Sequence, residues 1–151
     1  MGLIEQLCAA GGGALDPDTF VGERSLEAAR RAAGAASAMA RALMAGEAAM
    51  GFCAIRPSGH HAEADRAMGF CLFNNIAIAA AHARARALSR AAIVDYNVHH
   101  GNGTRWSFYD DWSVLFILSH QYPFYPGHWS GGDTGTGAGV GFPRWTPKTG
   151  N

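Results

Sequence analysis

Charge is scarce in this chain of 151 residues. Asp, Glu, Lys and Arg make up 16% of it, with 12 basic side chains against 12 acidic ones and a formal net charge of zero. The two signs are interspersed, so no basic face is built, and neither nucleic acid nor a membrane surface is an expected partner. No apolar run reaches the length of a bilayer span. The opening "MGLIEQLCAAGGG" has neither the basic start nor the long apolar stretch of a secretory signal. Cysteine is rare as well. Cys8, Cys53 and Cys71 form an odd set without CxxC spacing, which argues against a disulfide framework and for a reducing, cytoplasmic setting. Cys53 and Cys71 sit in apolar runs and are expected as small core residues. No internal repeat occurs. What is present is 48% hydrophobic residues, in a chain long enough for one domain (1–151) with a real core.

Residues 11–24 read as a loop rich in Gly, Asp and Pro. Ser25 is positioned to cap the next helix, with Glu27 in its first turn and Leu26, Ala29, Ala33, Ala36, Ala40 and Leu43 along one face. Gly46 is expected to stop it. "GFCAIRPSGHHA" (51–62) reads as a buried strand running into a polar loop. Asn74 and Asn75 precede a helix through "IAIAAAHARARAL", with Arg84 and Arg86 towards its C-terminal end. "AAIVDYNV" (91–98) reads as a second strand and "SVLFILS" (113–119) as a third, joined by a short helix near 104–110. Strands alternating with helices predict an α/β fold whose parallel sheet is covered on both faces. Ligands of such sheets gather outside the C-terminal ends of the strands. His60 and His61 follow the first strand, Asp95 to His99 end the second, and His120 follows the third. Three polar clusters therefore converge on one rim.

Side chains alternate along a strand, so Asp95, Asn97 and His99 are expected to share a face. Two oxygens and a nitrogen in that order suit a divalent metal, although the amide of Asn97 lacks the charge of a strong zinc ligand. In the His60-His61 pair, one imidazole can act as general base while its neighbour orients it or stabilises charge. Asp95 and Asn102 are the candidate partners for the second ring nitrogens. A lone His pair at a strand end is ordinary loop polarity, and the aromatics of "HQYPFYPG" read alone are core or turn residues. Convergence of the clusters on one rim tips the balance to a site. The GxG at 101–103 does not extend to GxGxxG, so nucleotide binding is not expected.

At these residues the chain resembles the histone deacetylase superfamily, especially its class II-like bacterial deacetylases and acetylpolyamine amidohydrolases. The matching segments are "RPSGHHAEADRAMGFCLFNNIAIAA", "AAIVDYNVHHGNGT" and "HQYPFYPG", supported by "DTGTGAG". They stand in family order, and the likeness runs from about residue 3 to about residue 142. It implies a three-layer α/β/α fold with a mostly parallel sheet, arginase/deacetylase-like, and zinc-dependent hydrolysis of N-acetyl amides. The implied substrate is an acetylated lysine peptide or an acetylated polyamine. By the same resemblance His61 matches the general base, and His60 its electrostatic partner. Asp95 matches the carboxylate that pairs with His60 and helps bind a structural K+. Asn102 matches the group that orients His61, and His99 a Zn2+ ligand. Phe70 and Tyr125 match the aromatic walls of the acyl-lysine tunnel, with Gly69 beside them. A manganese hydrolase of the arginase type shares the fold class, but His60-His61 and the tunnel aromatics favour the deacetylase side.

The departures carry their own expectations. Asn97 stands where the family has a zinc-binding aspartate. Leu118-Ser119-His120 replaces the family's Ser-Leu-His and displaces a hydroxyl expected at the structural cation. The third zinc ligand and the tyrosine that polarises the acetyl carbonyl fall beyond Asn151, the first family strand falls before Met1, and residues 143–151 leave the family pattern. The chain is therefore expected to be an incomplete domain that holds zinc weakly, is inactive alone and tends to self-associate. The alternatives are a noncatalytic acyl-lysine-binding module and a nonfunctional gene fragment.

Overall fold

The computed structural model describes residues 2–127, 134–141 and 143–147, the last stretch as backbone. Helix α1 (Gly2–Ala9) leads into a short antiparallel ribbon, β1 (Gly12–Ala14) and β2 (Phe20–Gly22), paired with Gly12 opposite Gly22. Helix α2 (Ser25–Met44) follows. Its apolar stripe is buried only at Leu26, Ala29, Ala32 and Ala33, while Leu43 is exposed. Ser25 is the first helical residue, not the cap: its Oγ accepts from the backbone N–H of Gly22 at 2.9 Å. Gly46, at φ +73°, takes the left-handed turn that ends the helix. Ile4, Cys8, Val21, Leu26, Ala29 and Leu72 close a small core between α1, the ribbon and α2.

The segment 51–55 is not a strand. It has no ladder partner among the described residues, the N–H of Ile55 turns back to the carbonyl of Cys53 at 3.1 Å, and Phe52 is 87% exposed. An apolar run pairs only if another strand offers it an edge, which local composition does not reveal. Cys53 is accordingly half-buried, whereas Cys71 is buried.

Helix α3 (Asn75–Arg84) begins at the expected cap, where Asn74 accepts from the N–H of Ala77 at 3.1 Å. Next come β3 (Ala91–Asp95), α4 (Asn102–Ser107), β4 (Val114–His120), a 3-10 turn at Gly137–Gly139 and β5 (Pro143–Pro147). The three strands form a parallel sheet in the order β3-β4-β5, with Asp95 level with Leu118 and Phe116 level with Pro143. Val114, Phe116 and Leu118 alternate inward from the central strand and meet Ala77 and Ala80 of α3, Ile93 and Phe108. The other face is less covered: Leu115 and Ile117 are half-buried and Val94 is 62% exposed, so the described residues close only one side of the sheet. No helix among them is long and apolar enough to cross a membrane. Strand β5 occupies part of the stretch whose periodicity is lost in sequence; Asp133 of "DTGTGAG" and residues 148–151 lie outside the described residues.

Candidate active site

The loop that follows residues 51–55 brings His60 and His61 into ring contact, centroids 3.9 Å apart. Each is held through Nδ1 by a different acceptor. His60 Nδ1 lies 2.8 Å from Asp95 Oδ2, at the end of β3. His61 Nδ1 lies 2.8 Å from Asn102 Oδ1, at the start of α4. His61 is 4% exposed and Asn102 is fully buried. Burial, then the charge of neighbouring His60, lower the His61 pKa to about 4, against the hydrogen bond that His61 donates to Asn102, which favours the charged ring. Burial alone would raise the pKa of Asp95. Its hydrogen bond and charge interaction with His60 outweigh that and hold the carboxyl below its ordinary value.

The metal line read from strand alternation does not form. Strand β3 ends at Asp95 because short polar side chains replace the ladder with turns. Asp95 Oδ1 accepts from the N–H of Asn97 at 3.1 Å, and Asn97 Oδ1 accepts from the N–H of His99 at 2.9 Å. Asn97 is left exposed. The His99 ring still reaches the site, 6.0 Å from His61 and 6.1 Å from Tyr125 between centroids. His120 does not join this cluster. It is buried against His100, edge to face at 4.7 Å, and burial followed by the His120 and Arg105 charges lower His100 to about 3.

The residues expected to wall an acyl-lysine tunnel, Gly69, Phe70 and Tyr125, flank His61. Met68 and Cys71 exchange backbone hydrogen bonds of 2.9 and 3.1 Å around Gly69 and Phe70. These two lie at φ +58° and +61°, the signature of a type I′ turn. A β-carbon on Gly69 would collide with the His61 imidazole, so the turn closes onto the ring itself. Phe70 projects outward, 71% exposed. Tyr125 stands edge-on to His61 at 4.8 Å. Burial and the nearby charges of Asp18 and Asp16 push its phenol up to about 12, so it stays protonated.

A family model for the histone deacetylase domain matches residues 3–149. The chain belongs to the histone deacetylase family. It is 45% identical to human histone deacetylase 9 over 137 residues, which is 87% of this chain and 14% of that protein. It is 44% identical to histone deacetylase 15 of Arabidopsis thaliana over 128 residues, 83% of this chain and 23% of that one. Among solved structures it superposes on the HDA15 HD domain with a TM-score of 0.93 at 38% identity, covering 97% of this chain and 42% of the other. Acetylpolyamine aminohydrolase from Burkholderia pseudomallei gives a TM-score of 0.81 at 39% identity, with 87% and 40% covered. The fold is thus the α/β fold of deacetylases and acetylpolyamine amidohydrolases. The chain spans under a quarter of the curated relatives quoted and about two fifths of the solved chains.

The zinc that the resemblance implies finds an incomplete donor set. Among the described residues no three His, Cys, Asp or Glu side chains gather to hold a metal ion. Both Asp95 oxygens are engaged, by His60 and by the N–H of Asn97, and the Asn97 oxygen is neutral and already accepts from His99. That leaves His99 as one strong donor where a zinc site needs three protein ligands or more. These residues alone do not fit the ion.

Two sets of supporting residues in this deacetylase-family chain escape sequence reasoning. Asp18 and Thr19, from the loop between β1 and β2, accept from the N–H groups of Gly69 and Phe70 at 3.3 and 3.2 Å. Glu63 accepts from the Asn102 amide at 2.7 Å. Their partners lie 51 and 39 residues away in sequence. The one signal for them is the Asp-rich composition of residues 11–24 and the run of charged residues after His61.

Proposed function

We propose that the chain carries the proton-transfer side of an amide-hydrolysing site that takes N-acetylated amines, an acetyl-lysine peptide or an acetylated polyamine. One observation supports this above others. Two touching imidazoles are anchored through Nδ1 to groups of unlike charge, a carboxylate for His60 and a neutral amide for His61. The pairing divides the labour. His61 is buried, uncharged at neutral pH and, among the described residues, bonded through Nδ1, which leaves Nε2 to take a proton from an attacking water. Its low pKa favours availability over strength as a base. Asp95 supplies beside it a negative charge held against the His60 ring. Gly69, Phe70 and Tyr125 border the approach to His61 and suit the slender, apolar body of an acyl-lysine.

Zinc supplies, in hydrolases of this kind, a polarised carbonyl and an activated water. With the donor set of the described residues, this chain by itself holds the ion weakly. A second reading, a module that binds acyl-lysine without hydrolysing it, is favoured by one residue: the neutral Asn97.

Binding tests the substrate class. An N-acetyl-lysine peptide and an N-acetylated polyamine, each beside its unacetylated counterpart, are titrated into isotope-labelled chain. The reading expects resonances of His61 and Tyr125 to move with at least one acetylated compound and not with the free amines. No response, or the same response to the free amines, removes it.

A further inference from the structure

Glu63 stands outside the groups assigned above, two residues after His61. Its Oε1 lies 2.7 Å from Nδ2 of Asn102, whose Oδ1 lies 2.8 Å from Nδ1 of His61. The same Nδ2 faces the backbone carbonyl of His61 at 3.3 Å and the Met68 sulfur at 3.4 Å. The setting is tight. Gly103 has no room for a side chain against the carbonyl of Ala62, which presses the first turn of α4 onto the backbone of the histidine loop. The N–H of Thr104 donates to the carbonyl of His60 at 3.2 Å and fastens the two segments.

The two ends of an asparagine amide have nearly the same shape, so its orientation is decided by its hydrogen-bond partners. Every group around Nδ2 here is an acceptor. Turning the amide over would set Oδ1 against a carboxylate oxygen, a carbonyl oxygen and a sulfur, with no proton between them. The carboxylate is the strongest of these acceptors, since hydrogen bonds to charged groups are about twice as strong as neutral ones. With Nδ2 fixed on Glu63, Oδ1 must face His61. Oδ1 only accepts, so a neutral His61 must carry its proton on Nδ1 and leave Nε2 bare.

We propose that Glu63 is a positioning residue that sets the tautomer of His61 through Asn102. The inference rests on reading His61 as the base, because its consequence is that Nε2 is always the free nitrogen. The chemistry explains why an amide, which has two faces, can serve in that place: a carboxylate behind it selects one of them.

The test reads the tautomer directly and needs no substrate, so it stands apart from the binding experiment above. The full chain is labelled with 15N-histidine, and nitrogen shifts are recorded at neutral pH, with His61 assigned by its absence in His61→Ala. The wild-type chain is expected to show His61 almost wholly as the Nδ1–H form. Glu63→Lys puts a donor behind the amide, which then turns over, and most of His61 is expected to convert to the Nε2–H form. Glu63→Gln keeps an acceptor and should retain the Nδ1–H form. If the lysine variant does not fold, Glu63→Ala, at a half-exposed position, should give a measurable Nε2–H fraction. An Nε2–H ring in the wild type, or a pure Nδ1–H ring in whichever of the Lys and Ala variants folds, overturns the proposal.

Discussion

Gly101 faces Asp95 with no space for a β-carbon between them. Such an atom would overlap Asp95 Oδ2 and lie 3.1 Å from Nδ1 of His60. The backbone at Gly101, with φ −77°, is one any residue adopts, so the demand for glycine is purely steric. The His60–Asp95 pair exists because residue 101 has no side chain.

Gly101→Ala must therefore displace the carboxylate or the ring, and overpacking of this kind costs about 1–3 kcal/mol. Gly34→Ala is the control. Gly34 is exposed within α2 and a β-carbon there meets nothing within 4 Å. It should stabilise the chain by roughly 0.5–1 kcal/mol. Denaturant unfolding of both variants checks the pair of signs; a neutral Gly101→Ala contradicts the packing described.

Stability should fall as pH is lowered from about 6.5 to about 4. The unfolded His61 takes up a proton near 6.5, whereas burial keeps the folded ring neutral down to about 4. In that window the unfolded state binds more protons, so this contribution is complete above it and lost on passing down through it. His100, with its pKa lowered to about 3, acts in the same direction. Asp95, lowered from a carboxylate value of 3.8, adds its share only below the window. The His61 share is of order 2 kcal/mol. Unfolding at pH 7.5 and pH 4.5 measures it, and His61→Gln should reduce the difference. Equal stability of the wild-type chain at both pH values would count against the burial described.

Phe70 is a bulky residue in the left-handed region with its ring mostly in solvent. The conformation costs an L-residue about 1–2 kcal/mol, and glycine avoids the cost. Phe70→Gly should therefore be more stable than Phe70→Ala by about 1 kcal/mol, reversing the order expected in ordinary backbone. Thermal melts decide it; alanine equal to or above glycine denies the strain.

Much of this fold is legible locally. Asn74 announces α3 because its side chain satisfies an orphan N–H within four residues, and the alternation of Val114, Phe116 and Leu118 announces β4 because one face is buried. What hides is whatever a distant partner decides. Residues 51–55 have strand composition and, among the described residues, no edge to pair with. The ribbon β1–β2 has three residues on each side and hides among loop formers. Strand β5 carries a proline at each end, tolerable because β5 lies at an edge of the described sheet. At the site, His60, His61, Asp95 and Asn102 stand in quotable motifs. The turns at Asp95 and Asn97, the anchors Asp18 and Thr19, and Glu63 behind Asn102 depend on side-chain geometry that spacing does not encode.

Zinc should be lost on dialysis against a mild chelator, because among the described residues of the site His99 alone is a strong donor. Asn97→Asp should slow the loss by adding an anionic oxygen while still leaving fewer than three strong ligands. Metal analysis after dialysis checks both forms. Stoichiometric zinc in the unsubstituted chain means that the donor set is drawn wrongly.

Central to the proposed function is that His61 is a base for amide hydrolysis and that the described residues by themselves hold zinc too weakly to complete the reaction. The most direct test is hydrolysis of an acetyl-lysine peptide and an acetylated polyamine with zinc added, using His61→Ala as the blank. A weakly held metal leaves the water unactivated and the carbonyl unpolarised. The account predicts no turnover above the blank for the chain or for Asn97→Asp. Turnover clearly above the blank in the unsubstituted chain contradicts it, and shows that these residues complete the site among themselves or with a second copy.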